Sequence, residues 1–176
     1  MRVLLHACCG PCLIYPADQL RRQGLDVTVY YFNPNIHPLA EYEKRLSTLM
    51  EYCQRVGLKV VSGDYDIDEY FRAVGSPDQD RCRLCYKLRL QETARRAAAD
   101  GYDAFSTTLL VSPYQKHDEL RQAGEEAAAA AGVAFLYEDW RTGYRAGQAR
   151  ARELGIYRQK YCGCVYSKEE SRDPKR

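Results

Sequence analysis

MRVLLHACCGPC, residues Met1–Cys12, is the stretch whose reading decides the fold. Val3, Leu4 and Leu5 form a short apolar run suited to a buried central strand. The run ends in Cys8 and Cys9, followed by Gly10, Pro11 and Cys12. Pro11 suits the first turn of a helix, where its missing N–H costs nothing. Three sulfurs therefore sit in a turn between a first strand and a helix N-terminus. An open α/β sheet places its site there, outside the carboxyl ends of its strands. The helix dipole and free N–H groups favour thiolates and anions at that point. A single buried cysteine often only fills space as a small hydrophobe, but three within five residues around Gly-Pro point to chemistry.

The rest of the chain repeats the strand-then-helix pattern. A helix is expected over Pro11–Gln23, stopped by Gly24. Asp26–Phe32 reads as a strand, followed by a proline-containing loop from Asn33 to Pro38. Tyr42, Leu46, Leu49, Cys53 and Val56 recur at helical spacing before Gly57, which puts Cys53 in the core. Leu58–Val61 reads as a third strand, Ile67–Val74 as a short helix and Gly75–Asp80 as a polar loop. A helix follows over Leu84–Ala99, then a strand over Asp103–Thr108. Ser112-Pro113 resembles an N-cap with proline at the first helical position, opening a helix that ends at Gly132. Val133–Tyr137 is the fifth strand and Arg145–Leu154 the last helix. The expectation is a single α/β domain over residues 1–166, a parallel five-stranded sheet with helices on both faces. A charged, frayed tail is expected over residues 167–176.

The totals narrow the class. The chain has 176 residues, enough to bury a core without staples. No secretory h-region and no membrane-length apolar stretch is present, so a cytoplasmic protein without membrane contact is expected. Eight cysteines in a reducing compartment point to metal binding or redox chemistry rather than structural bridges. A net charge of +2 announces no polyanionic partner by itself.

With Cys53 in the core, the remaining cysteines fall into three groups: Cys8/Cys9/Cys12, Cys82/Cys85 and Cys162/Cys164. Cys82-Arg83-Leu84-Cys85 opens a helix with metal-ligand spacing. With Cys8 and Cys9 it makes an all-thiolate set of four, suited to structural zinc or a cubane iron–sulfur cluster. Directly adjacent cysteines are unusual in zinc ribbons, which favours the cluster. Cys162-Gly163-Cys164 has three readings: a strained, easily reduced redox couple, a completion of the metal site, or a reduced surface turn.

Arg81, Arg83, Lys87, Arg89, Arg95 and Arg96 crowd the first pair, and Arg141, Arg145, Arg150, Arg152, Arg158 and Lys160 the second. Tyrosines interleave with them, as in surfaces that hold RNA by phosphate contact and base stacking; a charge run is otherwise a solvated face. Ser106, Thr107 and Thr108 could bind a polyol or satisfy local backbone. His37 and His117 read as ordinary structural residues. Asp139 reads as a metal ligand or an ion-pair partner.

Five blocks together resemble the QueH-type epoxyqueuosine reductases: HACCGPC (6–12), FNPNI (32–36) with EYEKR (41–45), RCRLCYKLRL (81–90), FSTTLLVSPYQKH (105–117) and YRQKYCGCVYS (157–167). The resemblance implies a nucleotide α-hydrolase, PP-loop-like fold. It implies reduction of the epoxide of epoxyqueuosine at the tRNA wobble position to the alkene of queuosine, the last step of queuosine biosynthesis, without cobalamin. It implies a [4Fe-4S] cluster on Cys8, Cys9, Cys82 and Cys85, and a redox-active disulfide between Cys162 and Cys164. It also implies a second metal, a mononuclear iron, with Cys12, Cys162, Cys164 and Asp139 as candidate ligands. The implied partners are tRNA and an electron donor, and a monomer is expected. The rival readings are a zinc-stabilised RNA-binding domain without turnover, and a nucleotide-dependent thiolase of the same sheet type. No glycine-rich phosphate loop supports the latter.

Overall fold

Five parallel strands form the sheet of the computed structural model, which describes residues 1–75 and 80–172. They are β1 (Arg2–His6), β2 (Asp26–Tyr31), β3 (Lys59–Ser62), β4 (Ala104–Thr107) and β5 (Ala134–Phe135). Their order is β3-β2-β1-β4-β5. The chain steps from β1 outward to β2 and β3, then crosses back to β4 on the other side of β1. The switch point lies between β1 and β4, where a doubly wound sheet opens a crevice. The MRVLLH run is the central strand: Val3, Leu4, Leu5 and His6 are each at most 1 % exposed. Burying such aliphatic side chains contributes roughly 2 kcal/mol apiece.

Helices α1 (Gly10–Arg22), α2 (Leu39–Val56) and, late in the chain, α6 (Tyr144–Glu153) pack together on one face. Helices α3 (Ile67–Val74), α4 (Arg81–Ala99) and α5 (His117–Ala131) pack on the other. Pro11 stands in the first turn of α1, as expected. Cys53 is 1 % exposed within the core, and burial pushes its thiol up to about 12.

Three boundaries differ from the expectation. Ser112-Pro113 does not open α5. A 3-10 turn over Thr108–Val111 continues β4, and Ser112 closes a further turn by accepting from the Tyr114 N–H at 3.3 Å. The helix begins at His117, whose Nε2 lies 3.2 Å from the Ser112 carbonyl. The fifth strand keeps only two residues, although Leu136 still donates to the Phe105 carbonyl at 2.9 Å. Finally, α7 (Val165–Glu170) takes the first part of the segment expected to fray. Its N-cap is Cys164, whose Sγ accepts from the Ser167 N–H at 3.4 Å. Residues 76–79 of the expected polar loop and 173–176 of the tail lie outside the described residues.

Candidate active site

His6, the last residue of β1, fastens the switch point. It is fully buried; its Nδ1 lies 2.9 Å from Thr107 Oγ1 on β4, and its Nε2 lies 3.1 Å from the Phe32 carbonyl and 3.2 Å from Asn33 Oδ1 beyond β2. Two acceptors at Nε2 place the ring proton there and leave Nδ1 to accept from the threonine hydroxyl. Burial, with the Arg89 charge adding to it, lowers the imidazole to about 4, so it stays neutral.

Two residues beyond this clasp the first of three converging sulfurs stands. The Sγ atoms of Cys8, Cys9 and Cys12 lie within 4.8 Å of one another and all three residues are buried. Cys8 Sγ and Cys9 Sγ are 3.8 Å apart. Donation from the Cys12 and Cys9 thiols holds Cys8 well below the usual thiol range, with the Arg89 charge adding to it. Cys12 is pushed up because it is a donor in that arrangement, and Cys9 chiefly by burial. Gln159 Nε2 donates to Cys9 Sγ at 2.9 Å and approaches Cys12 Sγ at 3.7 Å. Thr108 turns its hydroxyl toward Cys8, 3.4 Å from the backbone N and 3.8 Å from Sγ.

The other four site cysteines gather beside the triad. Cys82 and Cys85 from α4 and Cys162 and Cys164 from the C-terminal segment line one small cavity of about 40 Å³, with Tyr86 and Arg89. Burial pushes the Cys85 thiol up to about 12. Both Cys162 and Cys164 are free thiols; Cys162 is exposed and Cys164 buried. Gly163 between them has φ +154°, a region essentially confined to glycine, and a Cβ there would lie 3.0 Å from Asn35 Nδ2. The segment is tied down from outside. Arg45 donates to the Cys162 carbonyl at 2.8 Å and the Tyr161 carbonyl at 3.0 Å. The His37 N–H donates to the Gly163 carbonyl at 2.9 Å, and the Val165 N–H to His37 Nδ1 at 3.3 Å.

A cleft of about 330 Å³ opens onto both groups, lined by Cys8, Cys12, Cys162, Tyr114, Tyr144 and Lys160 among others. Tyr114 stands at its rim, 80 % exposed and edge-on to Tyr144 at 5.8 Å.

Several expected roles resolve differently. Asp139 pairs with Arg141, which lowers its carboxyl to about 2, and it belongs to neither cysteine group. The hydroxyls of the 106–108 run are used internally: Ser106 Oγ donates to the Leu136 carbonyl at 2.7 Å, and Thr107 serves His6 and the Leu109 N–H. The basic run on α4 is not a free cationic face. Arg81, Lys87, Arg95 and Arg96 pair with Glu170, Glu126, Glu92 and Asp100, and Arg89 is 1 % exposed. Acids distant or one turn away in sequence neutralise it. By contrast Arg145, Arg152 and Lys160 are exposed and make no ion pair among the described residues. His6, Arg45, Gln159 and Tyr114 were not singled out from sequence, although each lies within a motif block quoted above.

These features define an open, doubly wound α/β protein with a buried thiol triad at the carboxyl end of its central strand. Two solved structures share the fold. One is described as a predicted subunit of a tRNA methyltransferase from Methanocaldococcus jannaschii (TM-score 0.59, 15 % identity, 87 % of this chain and 75 % of that one). The other is the U34-tRNA thiolase NcsA from Methanococcus maripaludis with its [4Fe-4S] cluster (TM-score 0.55, 14 % identity, 97 % and 64 %). The family model described as "Epoxyqueuosine reductase QueH" matches residues 3–170. The protein of that name from Dehalococcoides mccartyi is 40 % identical over 170 residues, 96 % of this chain and 93 % of that one. The one from Thermotoga maritima is 36 % identical over 181 residues, 97 % and 92 %. The chain belongs to the QueH family of epoxyqueuosine reductases. No helix among the described residues is long and apolar enough to cross a membrane.

Proposed function

We propose that this protein is an oxidoreductase that converts epoxyqueuosine to queuosine in tRNA, in the cytoplasm. The observation that carries the reading is the cleft in which Cys8 and Cys12 of the triad face Cys162 of the second group. The reaction removes one oxygen: epoxide plus two electrons and two protons gives alkene plus water. Cys162 and Cys164 match that demand, since two thiols going to one disulfide release two electrons and two protons. An electron donor must then return the disulfide to thiols.

The donor set also fits an iron–sulfur group. Seven thiols in two adjoining sets, with a buried cation beside both, make a site for a soft, anionic cofactor. Cys8, Cys9, Cys82 and Cys85 would hold a [4Fe-4S] cluster, leaving Cys12 free to take part in binding a second iron. Such a group supplies single-electron transfer and Lewis acidity toward oxygen. The chain's own residues do the rest. Gln159 and Thr108 fix the triad sulfurs, Arg45 and His37 hold the Cys162–Cys164 segment over the cleft, and Tyr114 offers an aromatic face to a nucleobase.

A second reading has one observation in its favour. Three sulfurs within 4.8 Å are compact enough for a single zinc ion, which fits a zinc-stabilised RNA-binding domain without turnover. Anaerobic reconstitution with iron and sulfide, followed by an assay on tRNA bearing epoxyqueuosine, tests the two. Queuosine formed by iron- and sulfide-loaded protein supports the reductase. Stoichiometric zinc, no acid-labile sulfide and no product support the rival.

A further inference from the structure

Among the described residues two arginines are almost wholly buried, and they are treated differently. Arg45 has Glu41 at 2.7 Å and two backbone carbonyls. Arg89, one turn beyond Cys85 on α4 and 1 % exposed, has no ion-pair partner among the described residues. Its Nε donates to the Cys85 carbonyl at 3.3 Å, and its buried Nη2 has no hydrogen-bond partner among the described residues. It lines the small cavity with Tyr86 and the thiols of Cys82, Cys85, Cys162 and Cys164. A guanidinium held out of water without a counter-charge is strongly unfavourable. Its surroundings become reasonable only when the sulfurs are ionised. A bound iron–sulfur group with thiolate ligands carries that negative charge.

We propose that Arg89 is the fixed counter-charge of the cysteine assembly, its free Nη2 N–H reserved for a sulfur of the bound iron–sulfur group. The inference rests on the cluster reading above and names the residue that makes the site selective for an anionic cofactor. Arg89 neutralises the assembly and favours its reduced state, because a nearby cation and an N–H bond to sulfur both raise the reduction potential.

The test compares wild type, Arg89→Met and Arg89→Lys as full-length proteins. Apo melting temperature is measured first. Iron and acid-labile sulfide per chain follow after anaerobic reconstitution, then the potential of whatever loads. Arg89→Met is expected to melt at or above the wild-type apo temperature, to retain several-fold less iron and sulfide, and to shift the remaining potential downward. Arg89→Lys is expected to recover most of the loading. The proposal is overturned if Arg89→Met loads fully at an unchanged potential, or if its apo form melts well below wild type, which would make Arg89 a packing residue. It is equally overturned if Arg89→Lys is as deficient as Arg89→Met. If wild type itself binds no labile sulfide, the cluster reading fails, and this proposal with it.

Discussion

Arg45 Nη1 donates to the carbonyl of Cys162 at 2.8 Å, joining the middle of α2 to the thiol-bearing segment 117 residues away. The same guanidinium holds the Tyr161 carbonyl and pairs with Glu41, which also accepts from Tyr157 Oη at 2.9 Å. One buried cation therefore sets the position of Cys162 over the cleft.

Removing it should unfasten the segment. Arg45→Met leaves two carbonyls and a largely buried carboxylate without their donor, a loss of about 3 kcal/mol. Limited proteolysis should then cut within residues 157–165 faster than in wild type, while cuts elsewhere change less. Equal cutting throughout would show that the segment is held by other contacts.

Cysteine replacements should separate into classes. Cys82→Ser or Cys85→Ser should lose iron and activity together. Cys162→Ser and Cys164→Ser should keep most of the iron yet stop turnover with the native donor. Loss of iron from either would make that residue a metal ligand and remove the disulfide role. Cys53→Ser should keep iron and activity at a cost of about 1–2 kcal/mol, since it places a hydroxyl in an apolar core.

The tRNA surface should lie with the unpaired cations. Reversal of Arg145 and Lys160 to glutamate should weaken tRNA binding and flatten its salt dependence by about one unit of log–log slope per lost phosphate contact. Arg95→Glu, at a position neutralised by Glu92, should change binding far less. Tyr114→Ala should cost about 1–2 kcal/mol of affinity if its exposed ring stacks on a base. Filter binding across a salt series checks all three.

His37 should make the fold acid-sensitive. Burial lowers its imidazole below the ordinary value, and its Nδ1 must stay unprotonated to accept the Val165 N–H. The unfolded chain therefore takes up the proton first. The stability that neutral His37 provides is whole above about pH 6.5 and is lost as acid carries the pH down through the lower folded value. Melting temperatures from about pH 7 to about pH 5 should fall more steeply in wild type than in His37→Gln. Parallel curves would mean that His37 does not titrate in this range.

The sheet and the place of the site were legible because their signals are local. Val3–Leu5 is buried on both sides and reads as an unbroken apolar run, Val27–Tyr31 is rich in β-branched and aromatic residues, and Cys8 comes two residues after the central strand. Cys12 lies one helical turn from Cys8 and Cys9, which brings it into their group. Long-range pairing was not legible. Arg89 sits in a charged run yet is buried, and Arg81 and Lys87 look free until Glu170 and Glu126 close on them. Ser112-Pro113 has the residues of a helix start, but the 3-10 turn after β4 uses them to close a turn instead.

The central claim is that buried thiols holding an iron–sulfur group carry out a two-electron removal of the epoxide oxygen. The most direct measurement incubates anaerobically reconstituted, reduced protein with tRNA bearing epoxyqueuosine. It quantifies queuosine in the nucleoside digest beside iron and acid-labile sulfide per chain. Queuosine should form in proportion to the loaded iron and sulfide and be absent from zinc-loaded protein. Fully loaded, reduced protein that leaves epoxyqueuosine intact, or product formed equally well without labile sulfide, would contradict it.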